Sequence, residues 1–321
     1  MDVLAHVTDG DLERLALQKG SMALVDLATA ADIYASMTNA IEVSGGSAAN
    51  TAAGVAGLGG TAGYIGKIAD DALGGVFIHD MSVLGVEFGT AAEAPAGDNQ
   101  ATGSSMVLVT DDGERTMATH LGVASTLAPD DLDQDLVARG EVVYVEGYLW
   151  DTPSAIEGIR LAIEIAHTGD GLVALTLSDS FCVERHRQDF LSLLNGDVDL
   201  LFCNEDEASL LFGSKDIDHA VDSIEQLGIL AAVTRGAKGS VVIRADGPVE
   251  IAALPVERVV DTTGAGDLFA AGFIYGLTHG QDPASCAQLG GACAAEVISH
   301  LGARPQSDLA EIANAPRLRL L

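Results

Sequence analysis

In 321 residues the chain carries 47 acidic and 16 basic side chains, a net charge of −31, so its surface repels nucleic acid and anionic membranes. Hydrophobic residues make up 48%, enough for a sizeable core, yet no apolar run reaches the roughly 18 residues that span a bilayer. No basic stretch followed by an apolar one opens the chain, and Cys182, Cys203, Cys286 and Cys293 form no CxxC pair. These features lead to an expectation of free core thiols, a reducing compartment and a cytoplasmic location. ATP is repelled at long range as well, so any phosphate site has to be built from local donors.

Taken in chain order, residues 8–42 hold short β-like pieces between polar and glycine-containing turns. A helix-like stretch then leads to Gly57, Gly59 and Ala62. Their G-x-G-x-x-A match follows a helix instead of a strand, the wrong context for a dinucleotide fingerprint. A strand is predicted at 62–66. Residues 94–124 return to short β pieces, at 104–110 and 114–119. Together with 8–42 they are expected to form a small second layer, a discontinuous lid on one domain that spans 1–321. Further strands are predicted at 142–146, 172–177, 198–203, 231–234 and 240–244. Between them, 152–167, 183–194 and 217–227 carry apolar residues at helical spacing. Two Ala- and Gly-rich helices, 264–279 and 283–300, close the pattern. Such alternation implies an α/β fold with a largely parallel sheet between helices.

The segment Asp261-Thr262-Thr263-Gly264-Ala265-Gly266-Asp267 follows Val259-Val260 and precedes a helix. Its small residues let the backbone turn sharply and gather N–H groups, and the helix start adds unpaired donors and a positive dipole end. An aspartate placed where phosphate charge gathers suits a general base that accepts a proton from an attacking hydroxyl. An isolated turn of this kind equally serves as a helix cap with close-packed glycines. No Walker A sequence occurs.

Gly45-Gly46-Ser47-Ala48-Ala49-Asn50-Thr51-Ala52, continuing to Gly57-Leu58-Gly59-Gly60 and Ile65-Gly66-Lys67, resembles the N-terminal signature of the ribokinase-like (PfkB-type) kinases. DTTGAGDLFAAGF, at 261–273, resembles their C-terminal signature. The resemblance implies a Rossmann-type three-layer α/β/α domain with a small β-rich lid, using ATP and Mg²⁺. Carried over by position, Asp267 is the base, and the N–H groups of Gly264, Ala265 and Gly266 form the anion hole. Asn204 and Glu207 match an NxxE motif near phosphate and magnesium, Glu207 acting through water. Thr234, Gly236 and Gly239 match a nucleotide-contacting turn. The resemblance leaves open a potassium ion near Asp261, and the choice between monomer and homodimer.

GGSAAN, Gly147-Tyr148-Leu149-Trp150, Leu177-Ser178-Asp179-Ser180-Phe181 and Gly113-Glu114-Arg115-Thr116 are similar to bacterial adenosine-kinase-like proteins. That similarity implies a nucleoside acceptor. Asp2, Gly46 and Asn50 would hold vicinal ribose hydroxyls. Phe181, with Leu149 or Tyr148 opposite, would sandwich a purine, and Arg115 would reach the moving phosphoryl group from the lid. A sugar kinase and a non-catalytic nucleoside-binding regulator stay as alternatives. The family's first strand runs through a glycine-containing segment before its aspartate, whereas this chain starts Met1-Asp2, so Asp2 is expected to fray.

Overall fold

The computed structural model describes residues 1–90 and 100–314. The chain starts with β1 (Asp2–His6), α1 (Asp9–Arg14), β2 (Met22–Leu24), α2 (Leu27–Ser36) and β3 (Ile41–Val43). Next come α3 (Ser47–Gly57), β4 (Gly63–Tyr64), α4 (Ala72–Val83), β5 (Glu87–Phe88), β6 (Ser104–Val109) and β7 (Arg115–His120). The middle holds α5 (Gln134–Ala138), β8 (Val142–Glu146), α6 (Pro153–Thr168), β9 (Leu172–Thr176), α7 (Ser180–Leu193) and β10 (Leu200–Asn204). There follow α8 (Glu205–Phe212), α9 (Ile217–Leu227), β11 (Leu230–Thr234), β12 (Ser240–Ile243) and β13 (Val249–Ile251). The last helices are α10 (Ala265–Thr278), α11 (Pro283–Val297) and α12 (Leu309–Ala313).

Among the described residues a six-stranded sheet runs β13-β12-β11-β10-β9-β8. Strands β8 to β11 are parallel, and β12 and β13 antiparallel. Strand side chains alternate between faces, and here both faces are apolar, which is why these runs read as continuous hydrophobics. Val173, Leu175, Leu201, Cys203, Ala231 and Val233 pack with Ile159 and Ile163 of α6, Phe190 of α7, Leu211 of α8 and Ile224 of α9. Ala174, Leu200, Phe202 and Ala232, one residue out of step, pack instead with Phe269 and Phe273 of α10 and Cys286 of α11. The result is three layers. Each fully buried Phe or Leu in them stabilises the fold by about 1.5–3 kcal/mol. All four cysteines are free and buried, and burial raises the Cys182, Cys286 and Cys293 thiols to about 12.

The second sheet runs β2-β7-β6-β1-β3. The expected segments 8–42 and 94–124 supply most of it, with residues 94–99 outside the described ones. It also contains β1, which pairs in parallel with β6 and antiparallel with β3. Asp2 is therefore held on both sides, opposite Val43 and Ser105, and does not fray. The strand predicted at 62–66 shrinks to β4, which among the described residues pairs with β5 alone. Its glycine neighbours give little to pack, and the Tyr64–Phe77–Phe88 ring cluster anchors it instead.

Helices α3 and α10, which carry the two sequence motifs, pack together at Gly54. A Cβ there would lie 2.6 Å from Ala271 Cβ and 2.8 Å from Leu268 Cδ1. Gly54→Val is accordingly expected to cost about 1–3 kcal/mol by overpacking, read as a lower thermal melting midpoint.

Candidate active site

Parallel α/β sheets bind ligands beyond the carboxyl ends of their strands. In this sheet those ends are Glu146, Thr176, Asn204 and Thr234, with Glu146 in register with Thr176 and Asn204 with Thr234. The first turn of α10 and the start of α3 meet beside Glu146. Gly264, the N-cap of α10, has φ +78 in the left-handed region, and a Cβ would come within 2.8 Å of Ala303 Cβ. Only glycine fits both demands. The turn then leaves the early N–H groups of α10 pointing outward. Ala265 N–H donates to Thr262 O at 3.3 Å, whereas nothing lies within 4 Å of where a Gly266 Cβ would stand. The space at Gly266 is open, and a helix start of this kind can receive an anion.

Asp267 follows immediately. Ser47 Oγ donates to its Oδ1 at 2.9 Å and Asn50 Nδ2 to its Oδ2 at 2.8 Å. Burial raises this carboxyl to about 6, against the lowering effect of those two hydrogen bonds. Asn50 sits on α3, whose N-cap is Gly46 at φ +92. Its Oδ1 is buried and has no partner among the described residues. Asp2 lies against Gly45, and burial raises its carboxyl as well. Thus Asp267, Asn50, Gly46 and Asp2, 217 residues apart in the chain between Asn50 and Asp267, share one site.

Arg115, at the start of β7, crosses from the second sheet to the same turn. Its Nη1 donates to Thr263 Oγ1 at 2.8 Å, and its Nε lies 3.6 Å from Asp261 Oδ1. Asp261 is buried and accepts from Thr263 N, Thr263 Oγ1 and Gly302 N. Asn204 caps α8 in a closed box: its N and Nδ2 donate to the two Glu207 oxygens at 3.0 and 2.6 Å, and Glu207 N donates to Asn204 Oδ1. Glu207 is buried, which raises it to about 7. A water-mediated metal contact at Glu207 requires that box to open. Among the described residues no group of three or more His, Cys, Asp or Glu is placed to hold a metal. Thr234 Oγ1 donates to Cys203 O, and Gly236 (φ +56) and Gly239 (φ +89) shape the turn after β11.

The aromatic candidates separate. Trp150 is core, edge-on to Phe190, while Phe181 on the first turn of α7 is 56% exposed. Leu149 packs against the core, and Tyr148, 40% exposed, is the neighbour bonded to Ser178 through its N and Oη. Asp151 clamps this turn to α7, accepting from Arg185 at 2.9 and 2.7 Å and bonding His186 Nε2 at 2.6 Å.

Three participants escaped the sequence reading. Ser47 lies inside the first motif. Glu146 ends β8 with a buried, unpartnered Oε1, and burial raises it to about 7. The signal for it was a single carboxylate ending an apolar run. Arg304 stands in irregular chain and donates to the carbonyls of Ser44 and Ala49.

Residues 30–309 match the family described as pfkB family carbohydrate kinase. The structure of adenosine kinase from Sinorhizobium meliloti superposes with a TM-score of 0.92 and 47% identity, covering 98% of this chain and 95% of that one. A probable sugar kinase protein from Rhizobium etli gives 0.93 and 43%, covering 99% and 96%. An uncharacterized sugar kinase of Archaeoglobus fulgidus is 30% identical over 75% of this chain and 92% of its own length. No helix among the described residues is long and apolar enough to cross a membrane.

Proposed function

We propose that this chain, which belongs to the pfkB family of carbohydrate kinases, transfers the γ-phosphoryl group of ATP to the 5′-hydroxyl of a nucleoside, adenosine first. The observation that carries the reading is the Asp267 carboxylate, held by Ser47 and Asn50 at the first turn of α10. An acceptor hydroxyl beside it gives up its proton to Asp267 as its oxygen bonds to the γ-phosphorus. The bond to the β,γ-bridging oxygen breaks, ADP leaves, and the α10 N–H groups take up charge on the moving phosphoryl. Magnesium bound with ATP would offset phosphate charge in a chain of net charge −31.

Two buried acceptors without partners, Asn50 Oδ1 and Glu146 Oε1, flank the base. Leaving such atoms unpaired costs about 1–3 kcal/mol each, and the hydroxyls of a ribose would satisfy them. Asp2 and Gly46 complete that side of the site. Arg115 would release Thr263 and meet the phosphoryl group when the second sheet closes as a lid. Thr234, Gly236 and Gly239 would line the ATP side, with Asn204 and Glu207 nearest its magnesium. Potassium at Asp261 would have to displace bonds that Thr263 and Gly302 now make. Phe181 and Tyr148 are the exposed rings available to a purine, with Leu149 behind them.

The adenosine kinase from Sinorhizobium meliloti supports the nucleoside, and the probable sugar kinase from Rhizobium etli supports a second reading, phosphorylation of a free sugar. ADP release measured with adenosine, cytidine, ribose and fructose separates them. For adenosine, kcat/KM should exceed that for the sugars by at least about 10²-fold, since a site built for a base leaves groups unpaired without it. A sugar preferred over every nucleoside would overturn the nucleoside, and no ADP release from any acceptor would leave a binding role.

A further inference from the structure

The tripeptide Gly302-Ala303-Arg304 follows α11 and touches both motif turns. Gly302 N donates to Asp261 Oδ2 at 2.9 Å. Ala303 fills the space behind Gly264 that any side chain there would need. Arg304 crosses to the other motif, its Nε donating to Ser44 O at 2.9 Å and its Nη1 to Ala49 O at 2.8 Å. Ser44 O and Ala49 O bracket the GGSAAN turn, so one guanidinium holds that turn at both ends. Ser44 is fixed again from α4, through its Oγ bond to Asp80.

Charge gives the contact a second consequence. Asp267 is faced by Asp2 from β1 and Arg304 from the chain after α11, and by Glu146, Tyr144 and Tyr148 from β8 and the turn after it. Of these, Asp2 and Glu146 disfavour a charged Asp267 and Arg304 favours it, while burial keeps the two phenols neutral. Burial works against the charge on Arg304, and the carboxylates of Asp2, Asp267 and Asp80 favour it.

We propose that Arg304 is a positioning residue of the kinase site: it locks the acceptor-holding turn 44–50 against Asp267 and sets a buried cation among the acidic side chains there. The inference rests on Asp267 being the base. Its test compares Arg304→Gln and Arg304→Lys with the parent, using adenosine and Mg-ATP over pH 5–9. In Arg304→Gln the acidic limb of kcat/KM should move up by about one pH unit, and the adenosine KM should rise roughly 10- to 100-fold as the turn loosens. ADP affinity should stay as in the parent. Lysine keeps the charge but cannot fork to two carbonyls, so its limb should stay put while the KM rises.

A folded Arg304→Gln with parental limb and parental KM overturns the proposal. If that variant fails to fold, Arg304→Lys decides: a raised KM on an unmoved limb supports it, and parental values for both overturn it. Near-normal turnover by Asp267→Asn would remove the base and this inference together. A dead Asp267→Asn beside an unaffected Arg304→Gln would remove the inference alone.

Discussion

Asp267→Asn is expected to lower kcat by about 10³-fold, in the middle of the range for losing a general base, while ADP and nucleoside still bind. The amide keeps the shape and can still accept from Asn50, but it takes no proton from an attacking hydroxyl. In the parent, a carboxyl raised to about 6 should give kcat/KM an acidic limb near pH 6, flat above it and falling below. The same shift has a stability sign. The folded-state value lies above the ordinary 3.8, so folding favours the protonated acid. That contribution is present below about pH 4 and is lost as pH rises through 6. At pH 8 the buried charge therefore weakens the parent by on the order of 3 kcal/mol. Asp267→Asn should melt higher than the parent at pH 8, the gap closing towards pH 4. A variant that turns over normally, or whose limb stays near pH 6, takes Asp267 out of the proton transfer.

Arg115→Ala should have an effect of comparable size, and on two readouts at once. An arginine directed at a phosphoryl group is worth about 10³-fold or more in kcat. Its removal also leaves Asp261, buried and 3.6 Å away, without a cation, at a cost of about 3 kcal/mol. Arg115→Lys separates the two. An ammonium near Asp261 should restore most of the melting temperature, but it lacks the planar fork, so kcat should stay at least about tenfold low. If alanine lowers the melting temperature and leaves kcat intact, Arg115 is a structural partner of Asp261 and nothing more.

The fold was legible where one strand buries both faces. Residues 172–175 and 200–203 read as unbroken apolar runs because Leu175 and Ala174, or Leu201 and Phe202, meet different helix layers. The two motif turns were legible because their glycines answer local demands of φ and space. The membership of β1 in the second sheet was not. Five residues, Asp2–His6, look alike on either sheet, and only pairing with residues about a hundred positions away decides. Glu146 and Arg304 were hidden for a related reason. A lone carboxylate at a strand end, or an arginine in irregular chain, shows no periodicity, and its meaning comes from what tertiary packing puts beside it.

The base and its amide partner meet across a sequence gap of 217 residues, and that gap has a consequence in time. A chain emerging from the ribosome at about 5–20 residues per second displays Asn50 long before Asp267 exists. Until α10 and α11 arrive, one apolar side of the six-stranded sheet has no cover. Phosphoryl transfer is thus the last property this polypeptide acquires during its synthesis, and the uncovered sheet is where an unfinished copy is most exposed to aggregation.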